Sequence, residues 1–341
     1  MERPMRAAAA ILLAALGLLA CSSAAPPAPA GGVAPRDRPR PLSHDAIEAT
    51  IASSDGVPIR YHAEGRGEPA LVLIHGWACD RSHWAEQVDR FGAERQVIAL
   101  DLAGHGDSGR NRQTWTIASL GEDVRAVVLA LDVQRVVLVG HSMGGPVALE
   151  AAARMPGRVV AVVGVDTFHN VERRADPTVT RTLMERWKRD FPGTARLFVD
   201  SLLPGDCPPA LRQRLEDQLG AAPPEIALPL LQDGFDYDLA AAFDRVHVPI
   251  RAINTTSPTD ADADRRHAPD FAVIDLAAQR LGHFPMLTVP QLFDQKLAET
   301  LAGLGIAGPV TAPAAPKATT TPTPTTPMPP MPPTPPSAGG R

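Results

Sequence analysis

Residues 135–146 read RVVLVGHSMGGP. Arg135 to Val139 is a nearly continuous apolar run, the pattern of a strand buried on both faces of a sheet. It ends in Gly140-x-Ser142-x-Gly144, and an apolar helical pattern follows over 145–154. A strand that gives way at once to a helix forces a sharp turn, which lifts the serine at its apex clear of the sheet. Glycine is needed at 140 and 144, because a Cβ at either place would strike the neighbouring strand or helix. The stretch reads as a strand, an exposed serine, and a helix whose positive end faces that serine.

Working outward, the same alternation recurs. Residues 47–52 and 58–63 form an opening hairpin around Asp55-Gly56, and apolar runs follow at 71–74, 97–100, 159–165, 249–254 and 271–276. Helical patterns lie at about 82–92, 117–131, 145–154 and 291–302. This order predicts an α/β fold, a mainly parallel, doubly wound sheet with helices on both faces. In such sheets chemistry collects at the carboxyl ends of the strands, so the residues just after each run carry the functional information.

After 71–74 comes His75-Gly76-Trp77, and after 97–100 comes the run Asp101 to Gly109, DLAGHGDSG. Late in the chain stands Gly282-His283-Phe284-Pro285. With the Ser142 turn, these motifs resemble the α/β-hydrolase family over roughly residues 47–305. A lone G-x-S-x-G is a weak signal; four motifs in register are a specific one.

The chemistry follows from the residue types. A serine hydroxyl is a poor nucleophile unless a base is beside it. His283 is the candidate base among ten histidines, placed where the family carries that residue. His75, His105 and His141 read as structural or hydrogen-bonding, and His169, which follows Asp166 into the insertion, as lining a pocket, structural or solvated. The backbone N–H of Met143 is one candidate oxyanion donor; the N–H of Trp77 is implied as the second by resemblance to the family's oxyanion loop. The leading candidate for the acid is Asp166, at the end of 159–165, with Asp260 in the loop after 249–254 as the alternative and another carboxylate or none as the remaining possibility. That loop reads NTTSPTD, with no aspartate at the spacing the family usually shows.

Residues 167–248 lie between two core runs and read as an inserted helical cap, with helices at 178–190 and 209–219 and Pro-rich breaks at Pro208-Pro209 and Pro223-Pro224. Seven of the 15 aromatic residues fall there, which suits an apolar lid over a site.

The two ends differ from the body. Twelve of the 36 prolines lie in residues 308–341 and six in residues 22–41, so the packed body is 42–307. Residues 1–21 carry Arg3 and Arg6, an uncharged run from Ala7 to Ala20, and then Cys21. This resembles a bacterial lipoprotein signal with Cys21 as the lipidated residue, which implies an extracytoplasmic protein anchored to a membrane. Residues 22–41 read as a disordered tether and 308–341 as a disordered Pro/Thr-rich tail. Cys79 and Cys207 are left either to pair or to stay as buried thiols.

The net charge of −5 supplies no basic excess for nucleic acid. No nicotinamide motif or Cys/His metal spacing is present, so no cofactor is expected. The expectation is a serine hydrolase that cleaves a carboxylic ester or similar small-molecule acyl substrate through an acyl-enzyme. A cofactor-free peroxidase, a lactonase or a carbon–carbon hydrolase of the same fold are the alternatives, as is an idle fold used for surface binding. The oligomeric state is left open.

Overall fold

The computed structural model describes residues 46–306. The expected lipidation site, tether and tail lie outside the described residues.

Each expected run is a strand. In chain order they are β1 (Ile47–Ala52), β2 (Pro58–Glu64), β3 (Ala70–Ile74), β4 (Val97–Leu100), β5 (Val136–His141), β6 (Val159–Val165), β7 (Ile250–Asn254) and β8 (Ala272–Asp275). They form one sheet in the order β1-β2-β4-β3-β5-β6-β7-β8. β1 pairs antiparallel with β2, and β2 antiparallel with β4; the remaining pairs are parallel. The apolar runs are continuous because the central strands are covered on both sides: every residue of β3, β4 and β5 is buried. The fold class expected from the sequence is the one observed.

The helices outside the insertion are α1 (Ala85–Gly92), α2 (Ile117–Ala130) and α3 (Gly144–Arg154), with α9 (Ala261–His267), α10 (Pro285–Thr288) and α11 (Pro290–Gly303) late in the chain. Between β6 and β7 the chain makes five helices: α4 (Pro177–Arg189), α5 (Phe191–Leu202), α6 (Pro209–Gly220), α7 (Pro224–Asp236) and α8 (Leu239–Asp244). Sequence patterning found α4 and α6 and missed the other three. The prolines at 208–209 and 223–224, read as breaks, open α6 and α7. Proline suits the first turn of a helix, where its missing N–H would have had no partner anyway. Among the described residues no helix is long and apolar enough to cross a membrane.

Candidate active site

Ser142 stands at the turn from β5 into α3 with φ of +52°, in the left-handed region that side chains rarely adopt. The strain is held from both sides. Its N–H donates to the carbonyl of Val165 at 3.0 Å, extending the β5–β6 ladder by one residue. A Cβ on Gly140 would lie 2.1 Å from the carbonyl oxygen of Gly144, and one on Gly144 would lie 2.5 Å from that of Ile74. Only glycine lets the helix come this close to the strand.

Asp166 occupies the matching place one strand over. Its N–H donates to Ile253 at 2.9 Å, extending the β6–β7 ladder. Its side chain is buried, and Oδ2 accepts from Nδ1 of His283 at 2.5 Å. Thr255 and Thr256, just past β7, grip the carboxylate. Oδ1 accepts from the N–H of Thr255 at 2.8 Å and the N–H of Thr256 at 3.0 Å, and the Thr256 hydroxyl donates to Oδ2 at 2.8 Å. Burial alone would raise this carboxyl. The His283 hydrogen bond, the charges of His283 and His169, and the Thr255 N–H outweigh it and hold the group well below the usual carboxylate range.

His283 is tied down at its backbone. Its N–H donates to Leu202 of α5 at 2.7 Å, and its carbonyl accepts from Nε2 of His141 at 2.8 Å. Gly282 before it has φ of +80°, and a Cβ there would lie 2.5 Å from Cδ of Pro204. The Thr255 hydroxyl donates to the carbonyl of Gly282 at 2.7 Å. The loops after β7 and β8 are thus closed on each other around Asp166.

Asp260 is placed elsewhere. Its Oδ1 accepts from the N–H of Ala263 at 3.1 Å, capping α9, and its Oδ2 accepts from Nδ2 of Asn170 at 3.0 Å. The carboxylate on His283 is supplied by Asp166, the residue after β6, and not by the loop after β7. That loop contributes Thr255 and Thr256 instead, which sequence reasoning passed over. The available signal was two hydrogen-bonding residues at the carboxyl end of the strand paired with the one ending in Asp166.

Trp77 and Met143 flank Ser142 in one cavity of about 390 Å³. Among the described residues no hydrogen bond takes up the backbone N–H of either. The Trp77 indole N–H donates to Ala227 of α7 at 2.8 Å, and its ring meets Trp187 edge-on with centroids 5.1 Å apart. The insertion is thereby pinned to the loop after β3. Asp166 and His283 line the same cavity. Phe198, Leu202, Leu219, Leu230 and Phe235 from the insertion form its apolar wall, and Asn170, Arg173 and Asp260 lie in its polar part.

The other motif histidines are structural. Nδ1–H of His75 donates to Gly76 at 2.8 Å while its Nε2 accepts from Leu102 at 3.0 Å, and burial lowers it to about 4. Nδ1–H of His105 donates to Ala103 at 3.0 Å, and burial lowers it to about 3. Cys79 and Cys207 are both buried free thiols, so the pairing left open by the sequence is not formed.

Known proteins agree with this architecture. A family model described as alpha/beta hydrolase fold matches residues 69–216. A stretch of 98 residues, 29% of this chain, is 43% identical to the dihydrolipoyllysine-residue acetyltransferase component of the acetoin cleaving system of Pseudomonas putida, but spans 26% of that protein's length. Among solved structures, a hydrolase from Pseudomonas aeruginosa PA01 covers 74% of this chain and 98% of its own, at 26% identity and a TM-score of 0.63. An esterase from Exiguobacterium antarcticum covers 75% of this chain and 100% of its own, at 19% identity and a TM-score of 0.68. The chain has the α/β-hydrolase fold, and these matches support its place in the α/β-hydrolase family.

Proposed function

We propose that the protein is a serine hydrolase acting on a carboxylic ester or similar acyl compound. The observation that carries this reading is the Asp166–His283 hydrogen bond, in the same cavity as a serine held at a strained strand-to-helix turn. Ser142 attacks the acyl carbonyl, and His283 takes its proton through Nε2 while Asp166 holds Nδ1–H. The positive charge that develops on the imidazole is stabilised by a carboxylate kept ionised by its own hydrogen bonds. The oxyanion is received by the N–H groups of Trp77 and Met143 at the amino end of α3, an arrangement worth about 3 kcal/mol per donor in the transition state. His283 then protonates the leaving group. Water, deprotonated by the same histidine, releases the acyl group from Ser142.

The apolar wall of Phe198, Leu219 and Leu230 supports a substrate with an apolar portion. The test is a panel of p-nitrophenyl esters of increasing acyl length. Turnover should peak at one chain length in the wild type and be absent from Ser142→Ala; a variant with undiminished turnover overturns the serine mechanism.

We further propose, from the sequence of residues 1–21, that Cys21 carries a lipid and holds the enzyme at an extracytoplasmic membrane face. Cys21→Ser should move the protein from the membrane fraction to the soluble fraction with its turnover unchanged. A variant that still pellets with membranes after signal cleavage rules out Cys21 as the anchor.

A further inference from the structure

His169 is left without a role by the mechanism above. It follows Asp166 by three residues, and Asp166 and Phe168 both have positive φ, +46° and +58°. These two strained residues turn the chain so that the ring of His169 comes back over the start of its own segment. The ring is buried, with 8% of the residue exposed. Its Nδ1 lies 3.1 Å from the carbonyl oxygen of Ser257, and its Nε2 lies 3.6 Å from Oδ1 of Asp166. The backbone carbonyl of His169 accepts from the N–H of Asp260 at 2.7 Å, which fixes the residue in place. Nε2 has no hydrogen-bond partner among the described residues.

Both ring nitrogens therefore face acceptors. A neutral imidazole carries one N–H, so whichever tautomer forms, one nitrogen turns a lone pair toward an oxygen. Only the imidazolium gives each ring nitrogen an N–H to donate, Nδ1–H to Ser257 and, with a small approach, Nε2–H to Oδ1 of Asp166 beside the Thr255 and Thr256 N–H groups. Asp166 would then hold one imidazole on each oxygen: His283 on Oδ2 at 2.5 Å and His169 on Oδ1.

We propose that His169 is an acid-side switch on the base and not a part of the working machinery: once protonated, it bonds Oδ1 of Asp166 and draws on the charge that Asp166 otherwise offers to His283. This rests on the reading of Asp166 and His283 as the acid–base pair of the site.

The groups facing His169 set the direction of its titration. Burial is the largest influence and lowers it; Asp166 at the end of β6 raises it; His283 lowers it; the Ser257 carbonyl and Asp275 at the end of β8 raise it. The balance puts it below the ordinary imidazole value, so the ring is neutral at neutral pH and takes its second proton on the acid side. A proton on His169 draws on Oδ1 and leaves Asp166 less able to support the imidazolium that the reaction must form on His283.

The test is the pH dependence of kcat/KM for the full chain and for His169→Gln, with 15N-histidine spectra of the wild type alongside. On the acid limb, kcat/KM of the wild type should fall more steeply than that of the variant, because the proton taken up by His169 adds its own loss. His169→Gln should lose about tenfold per unit and keep its plateau within about threefold of the wild type. Equal single-proton slopes in both proteins overturn the proposal. If the variant does not fold, the spectra decide: a His169 ring that becomes an imidazolium in the folded protein while the Nδ1–H signal of His283 shifts supports it, and one that stays neutral until the protein unfolds overturns it. Because the spectra need no turnover, they separate a failure of this proposal from a failure of the serine mechanism.

Discussion

Nδ1 of His283 lies 2.5 Å from Oδ2 of Asp166, a residue 117 positions earlier in the chain. Two loops that follow parallel strands bring them together. The carboxylate cannot turn away, because Thr255 and Thr256 hydrogen-bond to its oxygens from the other side. A carboxylate so held fixes the tautomer and plane of an imidazole, which is what a proton-relaying histidine requires.

The two candidate acids should accordingly separate on mutation. Asp166→Asn is expected to lower kcat by at least about 100-fold with KM little changed, since an amide cannot stabilise the imidazolium. Asp260→Asn should stay within about tenfold of the wild type and keep its fold, because asparagine caps a helix as well as aspartate. Steady-state kinetics with thermal melts of both variants decide the matter; a larger loss from Asp260→Asn would move the acid to the loop after β7.

Gly140→Ala should abolish turnover and lower stability by about 1–3 kcal/mol, because its Cβ would overlap the carbonyl oxygen of Gly144 at 2.1 Å. Gly303→Ala is the control: it lies in α11 with nothing within 4 Å of the added Cβ, and should be neutral or slightly stabilising. Urea unfolding of the two variants makes the comparison, and a Gly140→Ala protein as stable as the wild type would mean the turn can open.

Two buried carboxyls should give stability opposite pH dependences. Asp166 is depressed in the folded chain, burial being outweighed by its hydrogen bonds; its contribution is present above about pH 4, the unfolded value, and is lost as pH falls further. Asp264 is raised by burial to about 7, against the N–H of Val171 that lowers it. Its contribution is full below about pH 4 and is lost as pH rises through about 7. Asp264→Asn should therefore raise Tm relative to the wild type more at pH 8 than at pH 5. An equal difference at both values would show that Asp264 does not titrate in this range.

The parts of the fold that were legible in the sequence are those set by local pattern. β3, β4 and β5 read as apolar runs because burial on both faces leaves no polar alternate, and the Ser142 turn was legible because its glycines answer a close approach. Helix α7 was missed where Pro223 and Pro224, which sit at its start, read as a break, and α5, with Pro192 in its opening turn, was not picked out. The choice of acid was legible in part: Asp166 led Asp260 because it stands at the carboxyl end of a core strand, but which of the two points at a histidine far along the chain is set only by the fold. His169 was singled out but given no role, since its meaning rests on two positive φ angles that no periodicity shows.

The central claim is that Ser142 is a nucleophile activated by His283. Treating the protein with a fluorophosphonate probe and mapping the adduct by mass spectrometry tests it most directly. One adduct per chain is expected, on the peptide carrying Ser142, with labelling abolished in Ser142→Ala and slowed at least about 100-fold in His283→Ala. Labelling that falls on another residue, or persists at the wild-type rate in His283→Ala, would contradict the account.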